Sequence, residues 1–158
     1  MAGPDAPTLA DLAEVARAGG GPLALNVKAD GLASAVAPLI APVRERCFFF
    51  DMSVPDMRSW FAQGLPVFTR HSDVETHPVY YAEAAGVWMD EMLGAWITER
   101  VILDHLANGK RVGLISSELY GRPPERLWEI ARLVGSPDVM VCTDLVAECQ
   151  RFLRGGGA

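Results

Sequence analysis

The sequence lacks the features of several common protein classes, and each shortage excludes something. Only three of the 158 residues are cysteines, and they have neither a disulfide framework's pattern nor zinc-site spacing. Acidic residues outnumber basic ones by 20 to 14, so there is no basic stripe to neutralise a nucleic-acid backbone. No apolar run approaches the roughly 20 residues of a membrane span, and the chain does not open on a signal-peptide pattern. We therefore predict a cytoplasmic protein with no nucleic-acid partner.

Two familiar catalytic signatures are also absent. Gly19-Gly20-Gly21 precedes a predicted strand instead of following one, so it does not form the glycine loop that cradles a phosphate. The Gly-x-Ser-x-Gly elbow of serine hydrolases does not occur. Function must therefore be sought in how polar residues are distributed over the predicted fold.

What the sequence does contain is a repeated unit, in which a short apolar run ends in polar residues and leads into a helical stretch. The predicted strands are 23–28, 47–52, 66–70, 86–89, 111–116 and 139–143. Near-continuous apolar strands that alternate with helices are typical of parallel strands buried on both faces. With 50% hydrophobic residues, the chain has enough apolar material for one sizeable core.

The predicted fold class is α/β, built from parallel βα units in a single domain over residues 1–158. Six units are compatible with two architectures. A flavodoxin-like open sheet would be complete at this length. An eight-stranded TIM barrel typically needs about 250 residues, so this chain would then be a partial barrel, its C-terminal three quarters. Residues 1–7 and 155–158 are expected to be disordered.

Polar side chains follow the predicted strands, and parallel strands bring their carboxyl ends to one rim where binding and catalysis collect. The candidate residues are Asn26, Lys28, Asp51, Ser53, Thr69, Arg70, His71, Trp88, Asp90, Ser116 and Glu118. Of these, we predict catalytic roles for Lys28, Asp51 and His71, and substrate binding for the others.

The residue types suggest chemistry on a phosphorylated ligand. Lys28 would meet a phosphate as a point charge, and Arg70 beside His71 suits recognition of an oxyanion. Asp51 can serve as a metal ligand, a base or a nucleophile. Trp88 can form a platform for a sugar or glycerol, although core packing is the commoner use of tryptophan.

Structural roles remain open for several of these residues. Ser116 and Glu118 can cap the helix that follows them instead of binding a ligand. A lone histidine at a rim, such as His71, is more often a hydrogen-bonding loop residue than a catalyst.

Taken in order along the chain, the strand ends resemble the C-terminal part of a glycerophosphodiester phosphodiesterase-like barrel, in the wider phosphatidylinositol-phospholipase-C-like group. Asn26-Val27-Lys28 occupies the place of that family's Glu-x-Lys. Asp51-Met52-Ser53, Ser116-Ser117-Glu118 and Thr143-Asp144 partly match its later strand ends. The resemblance covers most of residues 23–150.

The resemblance implies a phosphoric diester hydrolase that acts on glycerophosphodiesters with a divalent cation, Mg²⁺ or Ca²⁺. Lys28 would carry over as a phosphate contact. The family's early His-Arg-Gly, Glu-x-Asp and His-Asp strand ends have no counterpart here, and Asn26 replaces its metal-binding glutamate. We therefore expect this chain alone to be inactive, and its open sheet edges to favour a homo-oligomer.

Two alternative functions remain open. The first is a non-catalytic protein that binds a phosphorylated sugar or glycerol phosphate. The second is a haloacid-dehalogenase-like phosphatase with Asp51 as nucleophile, although Ser53 stands where that family has a second aspartate.

Overall fold

The structure is a computed structural model that describes residues 6–19 and 21–155. The disorder expected at residues 1–7 and 155–158 falls, for residues 1–5 and 156–158, outside the described part of the chain. The chain divides into two compact units, one ending at Phe68 and the other beginning at Thr69. In the described residues, no helix is both long and apolar enough to cross a membrane.

A two-stranded parallel sheet and its surrounding helices make up the described part of the first unit. Its elements are α1 (Leu9–Gly19), β1 (Leu23–Asn26), α2 (Ala33–Leu39), a 3-10 helix (Ala41–Arg46), β2 (Cys47–Phe50) and α3 (Val54–Ala62). The register of β1 and β2 places Leu23 opposite Cys47 and Asn26 opposite Phe50. One further parallel bridge joins Phe49 to Val67.

Aromatic packing holds the first unit together. Every residue of β2 is buried. The Phe49 ring lies 4.6 Å from the Trp60 ring of α3, and the Phe48 ring stacks at 4.2 Å on Phe68, both measured between centroids. Buried aromatic pairs at these distances add stability beyond the area that they bury. The Phe49–Trp60 contact therefore joins β2 to α3, and the Phe48–Phe68 contact joins β2 to the first residue of β3.

The second unit contains a four-stranded sheet in the order β3-β4-β5-β6. Its elements are β3 (Phe68–Ser72), β4 (Gly86–Asp90), α4 (Glu99–Ala107), β5 (Arg111–Ile115), a 3-10 helix (Ser117–Tyr120), α5 (Glu125–Val134), β6 (Val139–Cys142) and α6 (Val146–Leu153). The pairs β4–β5 and β5–β6 are parallel.

The prediction of an α/β fold with parallel βα units is confirmed. In both sheets the strand order follows the chain order, which is the order found in barrel segments and within one half of a doubly wound sheet. Some boundaries differ from those expected. β1 ends at Asn26, before Lys28, and β3 extends beyond residue 70 to Ser72.

The two faces of the four-stranded sheet have different partners. One core cluster joins β4 and β5 to α4 and α5, and it consists of Val87, Met89, Ile97, Ile102, Val112, Leu114, Leu127 and Ala131. Because side chains alternate along a strand, Trp88 and Asp90 lie on the face opposite to Val87 and Met89. Asp90 therefore lies at the carboxyl end of β4, on the face opposite to the one that packs on α4 and α5.

On that opposite face, the Trp88 ring packs closely against Gly113 of β5. A Cβ atom added to Gly113 would lie 2.6 Å from Cε3 of the buried Trp88 ring. We predict that Gly113→Ala lowers the free energy of unfolding by about 1–3 kcal/mol, because the indole must leave its rotamer to make room. Urea unfolding of the variant measures the change.

Gly94→Ala is the matched control, since an added Cβ at Gly94 has no heavy atom within 4 Å. It should change the free energy of unfolding by less than about 0.5 kcal/mol. Equal stability of the Gly113 and Gly94 variants would contradict the close packing of Trp88.

Candidate functional site

The carboxyl end of β4 carries a buried carboxyl group that is only half satisfied. The Asp90 side chain is 3% exposed. Its Oδ2 accepts a hydrogen bond from the Tyr120 hydroxyl at 2.9 Å, while its Oδ1 is buried and has no hydrogen-bond partner among the described residues. A buried acceptor left unpaired costs about 1–3 kcal/mol, so its presence calls for an explanation.

Arg122 supplies an unpaired donor in the same cluster. Its Nη2 donates to the carbonyl oxygen of Glu91, and its Cζ lies 5.4 Å from the centroid of the Tyr120 ring. Its Nε is buried without a hydrogen-bond partner in the described part of the chain. The guanidinium is thus oriented by two contacts, while its buried Nε–H is without a hydrogen-bond acceptor among the described residues.

Electrostatic interactions connect these groups to Arg70. Burial raises the pKa of Asp90, while the hydrogen bond from Tyr120 and the charges of Arg70 and Arg122 act in the opposite direction. Burial and the neighbouring Asp90 raise the pKa of Tyr120 to about 12. We call Arg70, Asp90, Tyr120 and Arg122 the Asp90 site.

Asp73 fixes the loop that follows Asp90. Its carboxylate accepts backbone N–H bonds from Met92 at 3.0 Å, Leu93 at 2.6 Å and Gly94 at 2.9 Å. These bonds hold the pKa of Asp73 below its usual value despite the opposing effect of burial. The loop beyond β4 is therefore ordered by a carboxylate whose acceptors are in use.

Ser116 and Glu118 form an internal network at the end of β5. Glu118 accepts hydrogen bonds from the hydroxyls of Ser116 and Thr143 and, at 3.2 Å, from the N–H of Asp144. Burial raises the pKa of Glu118, but these hydrogen bonds outweigh it and hold the pKa below its usual value. Ser116 also accepts from Nε1 of Trp128 at 2.8 Å. The network ties β5 and β6 to each other and to α5.

The predicted residues of β3 have different surroundings. The Thr69 hydroxyl donates to the carbonyl of Val79 at 2.6 Å, so it is used within the unit. Arg70 forms an ion pair with Glu75 at 3.2 Å in addition to its effect on Asp90. His71 lies within β3, and its Nδ1 is 2.9 Å from Nε2 of His105 on α4. The structure therefore brings Arg70, but not His71, to Asp90.

In the first unit, Asp51 accepts hydrogen bonds from two of the predicted residues, Asn26 at the end of β1 and Lys28 just beyond it. Its Oδ2 accepts from Nδ2 of Asn26 at 3.1 Å and from Nζ of Lys28 at 3.0 Å. Asp51 has a φ of 69°, a left-handed conformation that aspartate tolerates better than most residues. Ser53 instead caps α3, where its Oγ accepts from the N–H of Asp56 at 3.3 Å.

The described residues do not fit the divalent cation that the resemblance implies. Where the family has a metal-binding glutamate, Asn26 and Lys28 both direct donors at the same oxygen of Asp51, so a positive charge already faces that carboxylate. In the described residues, no group of three or more His, Cys, Asp or Glu side chains could hold a metal ion.

Comparison of the chain with family models, curated proteins and solved structures finds no match. The glycerophosphodiester phosphodiesterase resemblance therefore stays a prediction, as do the roles of Lys28 and Asp51. Sequence reasoning missed Tyr120, the last residue of the 3-10 helix after β5, and Arg122, which lies between that helix and α5. The available signal was their position at the carboxyl end of a parallel strand.

The coupling between Asp90 and Tyr120 can be measured directly. Asp90→Asn removes the negative charge that helps to raise the pKa of Tyr120, so we expect this pKa to fall from about 12 towards the ordinary value of 10. Ultraviolet absorbance at high pH follows the ionisation of the three tyrosines.

Asp104→Asn is the control, because Asp104 lies beside Tyr81 and affects that tyrosine's pKa instead. If the two variants gave the same titration curve, Asp90 would not be the group that acts on Tyr120.

Proposed function

We propose that this chain is a phosphodiesterase-like protein that binds a small phosphorylated polyol, such as glycerol phosphate, at the Asp90 site. The observation that carries the proposal is the pair of buried, unpaired atoms, Oδ1 of Asp90 and Nε of Arg122. One atom needs a donor and the other needs an acceptor. A ligand with an oxyanion and a hydroxyl group would satisfy both.

The arginines suit the oxyanion. A guanidinium binds phosphate through directed N–H donors, and its planar shape favours two-point contacts. Arg122 is already oriented by Tyr120 and by the carbonyl of Glu91. Ligand binding would therefore cost little side-chain entropy at Arg122. Arg70, which is partly exposed, adds a second positive charge next to Asp90.

Asp90 suits the hydroxyl part of the ligand. An ionised carboxylate would repel a phosphate. Burial, however, raises the pKa of Asp90, and the charges of Arg70 and Arg122 offset its negative charge. Its free Oδ1 can accept a hydrogen bond from a ligand hydroxyl. Such a contact rejects analogues without the hydroxyl, because the buried oxygen would again be unpaired.

Binding rather than hydrolysis is the activity that these residues support. The implied mechanism uses two histidines as acid and base. The chain has three histidines. His71 and His105 are hydrogen-bonded to each other, and the exposed His77 lies in the loop after β3. The expected function is therefore recognition of a phosphorylated head group without turnover.

Titration calorimetry with glycerol 3-phosphate, inorganic phosphate and glycerol tests the proposal. We expect saturable binding of glycerol 3-phosphate with a Kd of roughly 10 μM to 1 mM, weaker binding of inorganic phosphate and none of glycerol. Arg122→Gln should weaken glycerol 3-phosphate binding at least tenfold, or about 1.4 kcal/mol.

Arg132→Gln is the charge-matched control, because Arg132 pairs with Glu129 on the exposed side of α5. It should change the Kd less than twofold. Absence of saturable phosphate binding, or equal losses in both arginine variants, would refute the proposed site. Release of glycerol phosphate from a glycerophosphodiester would refute the non-catalytic assignment.

A further inference from the structure

A chain of three hydrogen-bonding side chains lies between β3 and α4, apart from the Asp90 site. The Tyr81 hydroxyl is 2.8 Å from Nδ1 of His105, and Nε2 of His105 is 2.9 Å from Nδ1 of His71. His105 is 7% exposed, and the His71 ring also packs on Trp96 at 4.5 Å between centroids. These contacts join the carboxyl half of β3 to the last turn of α4.

We propose that His71, His105 and Tyr81 form an acid-sensitive latch that holds the carboxyl end of β3, and with it Arg70, against α4. The proposal extends the proposed function, because it assigns pH regulation to the strand that supplies Arg70. Its physical basis does not require a ligand.

The contact between His71 and His105 tolerates one added proton but not two. In the neutral pair, one facing nitrogen donates and the other accepts. One added proton can still be accommodated, because His105 can donate from Nδ1 to the Tyr81 oxygen while its Nε2 accepts from His71. A second proton places an N–H on both facing nitrogens, and at 2.9 Å that contact cannot persist.

The surroundings of the pair favour its neutral form. Burial, followed by the proximity of His71, lowers the pKa of His105 from 6.5 to about 4, although Asp104 on the same helix opposes this shift. Burial, followed by His77, lowers the pKa of His71. Lys110 adds a further positive charge 5.1 Å from the centroid of the Tyr81 ring. Among the described charged groups that act on the two histidines, Asp104 is the one that favours protonation, and it also pairs with Arg100 at 2.8 Å.

The direction of the pH effect follows from these depressed values. Once opened, the histidines take up protons near pH 6.5, whereas in the closed latch the pKa of His105 is lowered to about 4 and that of His71 is also lowered. Stability that is complete above pH 6.5 is therefore lost as the pH falls towards 4. For His105 alone, the folding equilibrium constant should drop by roughly a hundredfold between pH 7 and pH 4.5.

The test compares the unmodified chain with His71→Asn/His105→Gln, which retains hydrogen-bonding groups but removes both titrations. Urea unfolding at pH 7 and pH 4.5 gives the folding equilibrium constant, and amide exchange gives protection factors for Arg70 to Ser72. We expect the acid-induced drop to be at least tenfold smaller in the double variant. Protection of these amides should fall on acidification only in the unmodified chain.

His77→Asn is the control, since it removes an exposed histidine from the neighbouring loop and leaves the buried pair intact. Because His77 makes only the smaller contribution to the lowered pKa of His71, this variant should retain most of the pH dependence of the unmodified chain. If the double variant does not fold, an NMR titration of the unmodified chain decides the matter. A pKa of His105 near 6.5 in the folded protein, or amide protection that is independent of the histidines, would overturn the latch.

The latch and the ligand site can fail separately. Glycerol 3-phosphate binding at pH 8, where the latch is closed, tests the Asp90 site alone. Loss of that binding leaves the stability and exchange results to judge the latch. If binding occurs at pH 8, its affinity should weaken on acidification more in the unmodified chain than in the double variant, and an equal loss in both would refute the coupling to Arg70.

Discussion

Parallel pairing of β4, β5 and β6 is the constraint on which the second unit depends. Parallel strands place successive carboxyl ends at the same edge, and every residue of β4 is buried. Alternation along β4 then assigns Val87 and Met89 to the helix-covered core and Trp88 and Asp90 to the other face. A polar side chain at the end of β4 is consequently buried whether or not the fold supplies a hydrogen-bond partner for it.

The carboxylates near this edge differ in how many hydrogen bonds they accept. Glu91 is 2% exposed, and one of its oxygens accepts from Arg126 and from the N–H groups of Trp96 and Ile97. Asp73 accepts three backbone N–H groups, and Glu118 accepts from two hydroxyls and one N–H. In the part of the chain that the structure describes, Asp90 accepts a hydrogen bond from Tyr120 and its other oxygen accepts none.

That contrast is why Asp90 is interpreted as a binding residue and its neighbours as structural ones. The fold supplies several donors to each of these three carboxylates, whereas within the described residues Oδ1 of Asp90 and Nε of Arg122 have no hydrogen-bond partner. Tyr120 contacts both residues, through its hydroxyl to Oδ2 of Asp90 and through its ring to the Arg122 guanidinium, so both side chains are oriented before a ligand binds. The histidine latch concerns the same edge through β3, because Arg70 immediately precedes His71 in the strand.

The sequence by itself determined the fold class and several local features. Apolar runs between helical stretches predicted the parallel βα units. Pro38 lies in the last turn of α2 and Pro42 in the first turn of the following 3-10 helix, and Ser53 followed by Pro55 stands at the start of α3, as local backbone geometry favours. The position of Asp90 at a strand end also made it a candidate. These features depend on local periodicity and backbone geometry, which a short stretch of sequence encodes.

Only the tertiary structure decided which strand-end residues act together. Ser116 and Glu118 satisfy each other, Asp51 takes the donors of Asn26 and Lys28, and His71 pairs with His105, 34 positions away in the chain. Tyr120 and Arg122 became visible as site residues only through their contacts with Asp90 and Glu91. Hydrogen-bond partners across strands and helices depend on register and rotamer, and the order of residues along the chain does not specify either.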